Sequence, residues 1–85
     1  MLRLLDEVMD LGERGVSLFW MEMEGEKVPY AGMKLKDAKG NVHEVSDVTR
    51  EENVYTLLIP KGEAAYFERL FRNIFLDACL FEEVV

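Results

Sequence analysis

The hydrophobic residues near the N-terminus recur with the spacing of an amphipathic helix. They stand three or four positions apart, at Leu4 or Leu5, Val8 and Leu11. Acidic residues occupy the other side, at Asp6, Glu7, Asp10 and Glu13. One apolar and one acidic face predict a helix over 2–13. We expect it to stop at Gly15, because glycine readily adopts the left-handed conformation that ends many helices.

A second helical pattern covers 63–76. Its apolar side comprises Phe67, Leu70, Phe71, Ile74 and Phe75, and its polar side comprises Glu68, Arg69, Arg72 and Asn73. Ala64 and Ala65 add to the helix propensity of its first turn. The pattern predicts a helix that packs an aromatic-rich face against a core.

Five further segments have the residue content of strands, and they are 16–23, 28–36, 41–48, 54–59 and 78–85. The turn sequence 37–40 has Asp first and Gly last, which is typical of a reverse turn. In the third segment the valines stand three apart, at Val42, Val45 and Val48, so we expect a bulge near Ser46. The fourth segment is apolar on both faces, which predicts a central strand.

These elements predict an α+β fold with the order α-β-β-β-β-α-β. A four-strand antiparallel meander and the C-terminal strand form one twisted sheet, and the two amphipathic helices cover it. A chain of 85 residues is expected to be a single domain, 1–85. The predicted core comprises Leu5, Val8, Leu18, Trp20, Met33, Leu35, Val54, Leu57, Ile59, Phe67, Leu70, Phe71, Ile74 and Leu80.

The segment 32–41, followed by Val45-Ser46-Asp47-Val48, resembles the strand-turn-strand of PRC-barrel and other SH3-like small barrels. An Asp-x-x-Gly turn between strands is common to many proteins. The two predicted helices also depart from a plain small barrel. The chain is therefore assigned to no family on this resemblance.

Composition indicates the environment. A single cysteine, Cys79, excludes an intramolecular disulfide and favours a reducing compartment. The longest uncharged apolar run, 16–21, is too short to span a bilayer, and acidic residues come too early for a signal peptide. We expect a cytoplasmic protein that is not inserted in a membrane. The absence of glutamine and the 32% charged residues favour a thermophilic source.

The formal charge of −7 argues against nucleic acid as a partner, because binding to phosphates needs a basic surface. One basic strip runs against this trend, and it comprises Lys27, Lys34, Lys36 and Lys39. The alternative function that this strip suggests is a small-molecule or anion site between sheet and helices, near Lys34, Lys36 and Tyr30.

Few residues suggest catalysis or metal binding. His43, the only histidine, shares a strand face with Asp47, and a surface role is favoured for it. Cys79 follows a predicted helix beside Asp77, which favours a structural thiol. Three acids around a turn, Glu22, Glu24 and Glu26, do not have the spacing of a calcium loop. We therefore expect no catalytic residue, no metal and no cofactor, and rank an enzyme that uses His43 third.

The leading hypothesis is a non-enzymatic module that binds a protein partner or a second copy of itself as a homodimer. The sequence is rich in apolar residues and poor in convergent reactive groups. Aromatic side chains are favoured at the centres of protein interfaces. The candidate interface lies on the second predicted helix and comprises Tyr66, Leu70, Phe71 and Phe75.

Overall fold

Most of the regular structure is strand in a computed structural model of the chain, which describes residues 2–25 and 27–85. The strands are β1 (Leu2–Arg3), β2 (Val8–Asp10), β3 (Val16–Met21), β4 (Lys34–Lys36), β5 (Val42–Glu44), β6 (Asp47–Glu51), β7 (Val54–Ile59) and β8 (Leu80–Val84). A short 3-10 turn covers Gly12–Arg14, and the α-helix of the described residues is α1 (Ala64–Phe71).

The strands form two four-stranded antiparallel sheets. The order in the first is β1-β8-β4-β5, and the order in the second is β2-β3-β7-β6. The longest pairing joins β3 to β7 over six residues, from Val16 opposite Ile59 to Met21 opposite Val54. Both strands thus have a neighbour on each side, as the apolar content of 54–59 predicts.

The N-terminal segment joins the two sheets at one corner. Leu4 continues the pairing of β1 with β8, since its backbone N–H donates to the carbonyl of Cys79 (2.8 Å). The next residue, Leu5, already donates to Phe19 of β3 (2.9 Å). The chain therefore crosses from the first sheet to the second within one residue.

A second corner lies between β5 and β6. The N–H of Val45 donates to the carbonyl of Met33, next to β4, and the N–H of Ser46 donates to Leu58 of β7 (both 2.9 Å). Together the two corners connect the edges of the two sheets by backbone hydrogen bonds. The strands therefore form a closed ring. The break falls where a bulge near Ser46 was predicted, but Val42 stays 51% exposed, so the three valines do not share a face.

The core fills the space inside this ring. Alternate residues of β7 point inward, namely Tyr55, Leu57 and Ile59, and so do Val16, Leu18 and Trp20 of β3. Phe67 and Leu70 of α1 are also fully buried in the same cluster. Burial of an apolar side chain of this size contributes roughly 2–3 kcal/mol, so these two residues anchor the helix.

The prediction of a helix over 2–13 is wrong. Leu2 and Leu4 are buried and Arg3 between them is exposed, which is the two-residue period of a strand. The pairing of this segment with β8 and β3 satisfies its backbone and overrides the helical spacing of its leucines. Leu5 and Val8, predicted for the core, are only half-buried.

The second helix is shorter than predicted. It ends at Phe71, and the chain then turns through Asn73, leaving Ile74 87% exposed rather than in the core. Three other predicted core residues are half-buried, namely Val54, Phe71 and Leu80. The predicted fold of one sheet under two helices is therefore corrected to two sheets with one α-helix in the described residues.

Candidate functional site

The turn between β4 and β5 holds a buried carboxylate. The side chain of Asp37 is fully buried. Its Oδ1 accepts hydrogen bonds from the backbone N–H groups of Lys39 (2.8 Å) and Asn41 (3.1 Å). The turn closes at Gly40, whose positive φ of 91° suits glycine, and the Gly40 N–H donates to the carbonyl of Asp37 (2.9 Å). The local turn sequence thus places this acid.

The second oxygen of the same carboxylate ties the turn to α1 and β5. Asp37 Oδ2 accepts from the hydroxyl of Tyr66 (2.6 Å) and contacts His43 Nε2 (2.7 Å). Asn41 Nδ2 donates to the Tyr66 hydroxyl oxygen (2.7 Å). We call these four residues, Asp37, Asn41, His43 and Tyr66, the Asp37 network.

Hydrogen bonding keeps the buried acid ionised. Burial alone raises the pKa of Asp37, but hydrogen bonds from Tyr66, His43 and two backbone N–H groups together lower this pKa below its usual value. Burial and donation to Asp37 raise the pKa of Tyr66. Since an ionised carboxylate only accepts, His43 donates through Nε2, and Nδ1 is the ring nitrogen left for another partner.

Two adjoining cavities border the Asp37 network. One, of about 200 Å³, lies between the β4–β5 turn and the start of α1, and is lined by Asn41, His43, Lys61, Glu63, Tyr66 and Phe67. The other, of about 280 Å³, lies between β5 and the end of β7, and its lining includes Val42 and Glu44. His43 and Lys61 line both cavities. We call the first one the turn cavity.

The residues predicted for anion binding lie elsewhere. Lys36 Nζ is 3.4 Å from Glu82 of β8. The Tyr30 hydroxyl donates to Glu83 of the same strand. Lys34 is exposed, and none of the three lines either cavity at the Asp37 network. The structure thus places two of them against acids of β8.

The residues predicted for an interface have four different environments. Tyr66 belongs to the Asp37 network, and Leu70 is fully buried in the chain's own core, where no partner can reach it. Phe71 is half-buried, and Phe75 is 90% exposed. The exposed apolar surface continues through the turn after α1. We call it the apolar loop, which comprises Ile74, Phe75 and Leu76.

A larger groove lies between the N-terminal segment and α1, and its lining includes Arg72, two residues before this loop. Its volume is about 520 Å³. The apolar part of its lining comprises Val8, Met9, Phe19 and Phe71. The charged part comprises Asp6, Glu7, Glu68 and Arg72. We call it the α1 groove.

The contacts of His43 differ from the predicted pairing. The sequence predicts that Asp47 shares its strand face, whereas the structure pairs it with Asp37. The missed signal is the position of Asp37 and His43 on either side of an Asp-x-x-Gly turn, where a hairpin brings them together. Tyr66 and Lys61 come from a distant part of the chain, and no local pattern links them to the turn.

The other candidate reactive groups give no site. Burial raises the pKa of the Cys79 thiol, and the nearby charge of Asp6 raises it further, which disfavours the nucleophilic thiolate. Among residues 2–25 and 27–85, no three His, Cys, Asp or Glu residues are grouped to hold a metal ion. Glu26, one of the three acids considered for metal binding, lies outside the described residues.

The comparisons leave the chain without a family. No protein-family model, no curated protein and no solved structure matches it. The resemblance of 32–48 to SH3-like small barrels therefore has no support from these comparisons. Within residues 2–25 and 27–85, none of the helical segments has the length and hydrophobicity that a membrane-spanning helix requires. The cytoplasmic location stays a prediction.

Proposed function

We propose that this chain is a non-enzymatic interaction module that associates with a second copy of itself through the apolar loop. The observation that carries the proposal is the exposure of two consecutive large apolar side chains, Ile74 at 87% and Phe75 at 90%. The Phe75 N–H donates to Asn73 Oδ1 (2.9 Å), so the loop presents these side chains in a defined turn. Exposed apolar patches of this kind commonly mark interaction sites.

The α1 groove supports a second copy as the partner. It offers apolar walls for an inserted aromatic side chain, and acids at Asp6 and Glu7. Arg72, next to the apolar loop, has no salt-bridge partner in the parts of the chain that the structure describes. Because Arg72 of the groove lining stands two residues before the loop in the sequence, we infer that two copies related by a two-fold axis exchange both contacts at once.

The Asp37 carboxylate has a structural role in its network. The carboxylate of Asp37 accepts from four donors and has no exposed oxygen to take a substrate proton. A general base must reach the proton that it removes. Its hydrogen bonds instead hold the β4–β5 turn against α1.

The test is the native mass by light scattering at two concentrations about tenfold apart. We expect the wild type to shift from monomer to dimer, and Phe75→Asp to stay monomeric, because truncation or charging of an interface anchor costs about 2 kcal/mol or more. Met23→Asp is the matched control, since Met23 is also exposed (56%) but lies outside loop and groove. A wild type that stays monomeric at both concentrations would contradict the proposal.

The groove is tested separately by exchange of charge. Arg72→Glu should weaken the dimer, and Arg72→Glu combined with Asp6→Arg and Glu7→Arg should restore it if Arg72 of one copy faces these acids of the other. Restoration identifies the α1 groove as the docking site. A dimer that Phe75→Asp disrupts but that the charge exchange does not restore would keep self-association and reject the groove.

A further inference from the structure

We infer that the outer face of the second sheet binds a basic amphipathic helix of a partner protein. This outer face consists of the outward-pointing side chains of the two central strands, β3 and β7, which are Ser17, Phe19, Met21, Val54, Thr56 and Leu58. The inference does not rest on self-association. Of these residues Phe19 alone lines the α1 groove, and none belongs to the apolar loop.

Four of the six side chains are apolar, although they point away from the core. An antiparallel sheet with one face in water normally has polar residues on that face. The register places Phe19 opposite Thr56 and Met21 opposite Val54. Met21 is 41% exposed, and Phe19, Val54 and Leu58 are half-buried. Neighbouring strands thus satisfy the backbone of β3 and β7 but leave an apolar surface partly open to solvent, which marks an interaction site.

A cavity of about 330 Å³ opens on the outer face. Phe19, Val54 and Thr56 form its uncharged part, and Glu51 and Glu52 form its charged part. Among the residues that the structure describes, no lysine or arginine belongs to this lining. Glu51 lies directly opposite Val54 on the neighbouring strand β6. The apolar surface is therefore bordered by carboxylates on this side.

The two carboxylates are not neutralised within the chain. Neither Glu51 nor Glu52 has a salt-bridge partner within 2–25 and 27–85. The neighbouring Arg50 is engaged by Glu22, with 2.7 Å between Nη2 and Oε2. Arg14 lines a different cavity, at the other end of the outer face. The excess of negative charge favours a partner that carries lysine or arginine.

Acids also lie on the other side of Phe19. This side chain lines the α1 groove as well, whose lining includes Asp6 and Glu7. An apolar strip between two acidic edges is complementary to a helix with one apolar stripe and basic residues beside it. Four strands are about 14 Å wide and a helix with its side chains is roughly 10–12 Å across, so one helix covers the outer face.

The same charges disfavour two other occupants. A second copy would place identical acids against each other across a two-fold contact. The anionic surface of a membrane would repel them too. One helix on one sheet face buries less area than a permanent interface does, so we expect a weak and reversible complex.

The experiment is a titration of ¹⁵N-labelled protein with a synthetic helical peptide of leucine and lysine, in which the leucines form one stripe. We expect saturable amide shifts at Met21, Val54 and Thr56. A peptide of scrambled order keeps the charge without the stripe, and a leucine–glutamate peptide keeps the stripe without positive charge. Both should bind at least about tenfold more weakly. Equal binding of either peptide, or no saturable shift at these three amides with the first, would overturn the inference.

Two measurements without peptide examine the other occupants. Shifts of Met21, Val54 and Thr56 that grow with protein concentration would assign the outer face to a second copy. Shifts or broadening of these amides on addition of neutral phosphatidylcholine vesicles would assign it to a membrane. We expect neither change, and either one would overturn the inference. Concentration-dependent shifts confined to the α1 groove and the apolar loop report the proposed self-association instead.

Truncation of one apolar side chain locates the site. Met21→Ser should weaken the leucine–lysine peptide about fivefold, because it removes a contact side chain from the outer face. Met23→Ser is the matched control, since Met23 is exposed (56%) but lies beyond the end of β3. A folded Met21→Ser protein that binds the peptide as the wild type does would reject the outer face as the site.

Reversal of charge tests the acidic border. Glu51→Lys combined with Glu52→Lys should weaken the peptide about tenfold or more. Glu44→Lys combined with Glu82→Lys is the control, because it changes the net charge equally at exposed acids of the first sheet. The dispersion of the amide spectrum reports whether each variant is folded. Equal weakening by the two reversals would show that only the total charge matters and would overturn the inference.

Discussion

At the scale of single residues, Asp37 shows how a charge can be buried without a cationic lysine or arginine beside it. An isolated carboxylate would be strongly destabilised in a water-free position. Here two backbone N–H groups, one hydroxyl and one imidazole replace its hydration. The same bonds connect the β4–β5 turn, β5 and α1, so one side chain determines how three parts of the fold meet.

Asp37→Ala should lower the free energy of unfolding by about 2–4 kcal/mol at neutral pH, because it leaves four donors without their acceptor. Urea denaturation followed by circular dichroism measures this loss. Asp47→Ala is the control, since Asp47 is exposed and its carboxylate accepts from the N–H of its neighbour Val48. We expect the control to lose less than about 1 kcal/mol. An equal loss in the two variants would argue against the network.

The effect of Asp37 should also depend on pH. Its pKa is lower in the folded chain than its usual value of 3.8, so its contribution to stability is complete above this value. The contribution declines as the pH falls through the folded-state pKa. The stability difference between the wild type and Asp37→Ala should therefore be constant near neutrality and shrink below about pH 4. A difference that does not change between neutral and acidic pH would contradict this linkage.

At the scale of elements, Gly15 determines how the N-terminal segment enters β3. Its φ is +103°, and a Cβ at this position would lie 2.1 Å from the carbonyl oxygen of Ile59. The backbone of β7 thus passes directly against it. Glycine is needed here for close approach between two chain segments. It follows the short 3-10 turn Gly12–Arg14, and not the helix over 2–13 that the sequence predicts.

Gly15→Ala should therefore destabilise the chain far more than Gly12→Ala. Gly12 also has a positive φ (+65°), but open space surrounds its Cβ position. We expect about 1 kcal/mol for the Gly12 variant, from the left-handed conformation alone, and more than about 3 kcal/mol for the Gly15 variant, from the added clash. Thermal unfolding of the two proteins compares them directly. Similar unfolding midpoints for the two variants would show that β7 moves aside at little cost in free energy.

The sequence correctly predicts those elements whose local residue pattern agrees with the secondary structure that they adopt in the fold. The strands 16–21 and 54–59 follow from continuous apolar and β-branched content, and the start of α1 follows from the residues after Gly62. The N-terminal segment is ambiguous, because its leucines suit a period of two as well as a helical period. Sheet pairing with β8 decides between them, and a partner almost a whole chain length away is not readable from local spacing.

The candidate site is predictable to a similar extent. The turn with Asp37 and the only histidine are visible in the sequence, and they are neighbours across a hairpin. Tyr66 and Lys61 reach the site only because α1 packs on the core through Phe67. Exposure of Ile74 could not be read from its helical spacing, since the pattern continues beyond the residue at which the helix ends.

At the scale of the whole molecule, β8 holds the first sheet together. It lies between β1 and β4 in the first sheet and so joins the start of the chain to its middle. Phe81, the second residue of this strand, is fully buried. Loss of its packing acts on both neighbouring strands, and we expect the ring to open as a unit.

Phe81→Ala should lower the free energy of unfolding by about 3–5 kcal/mol, as is usual for a phenylalanine removed from a core. Val84→Ala in the same strand is the control, because Val84 is 37% exposed and its loss should cost about 1 kcal/mol or less. Hydrogen exchange should increase in β1 and β4 alike in the Phe81 variant. Faster exchange in β8 alone would mean that the last strand detaches without the rest.

The pairing of Leu2 with Phe81 brings the first and last strands side by side. The order of the strands along the sequence can therefore be changed without changing their arrangement in the two sheets. A short linker from the end of β8 to the start of β1, with new termini cut in the exposed turn at Glu24 and Gly25, gives a circular permutant with every strand pair retained. Such a rearranged gene encodes the same architecture with its helix near the middle of the sequence.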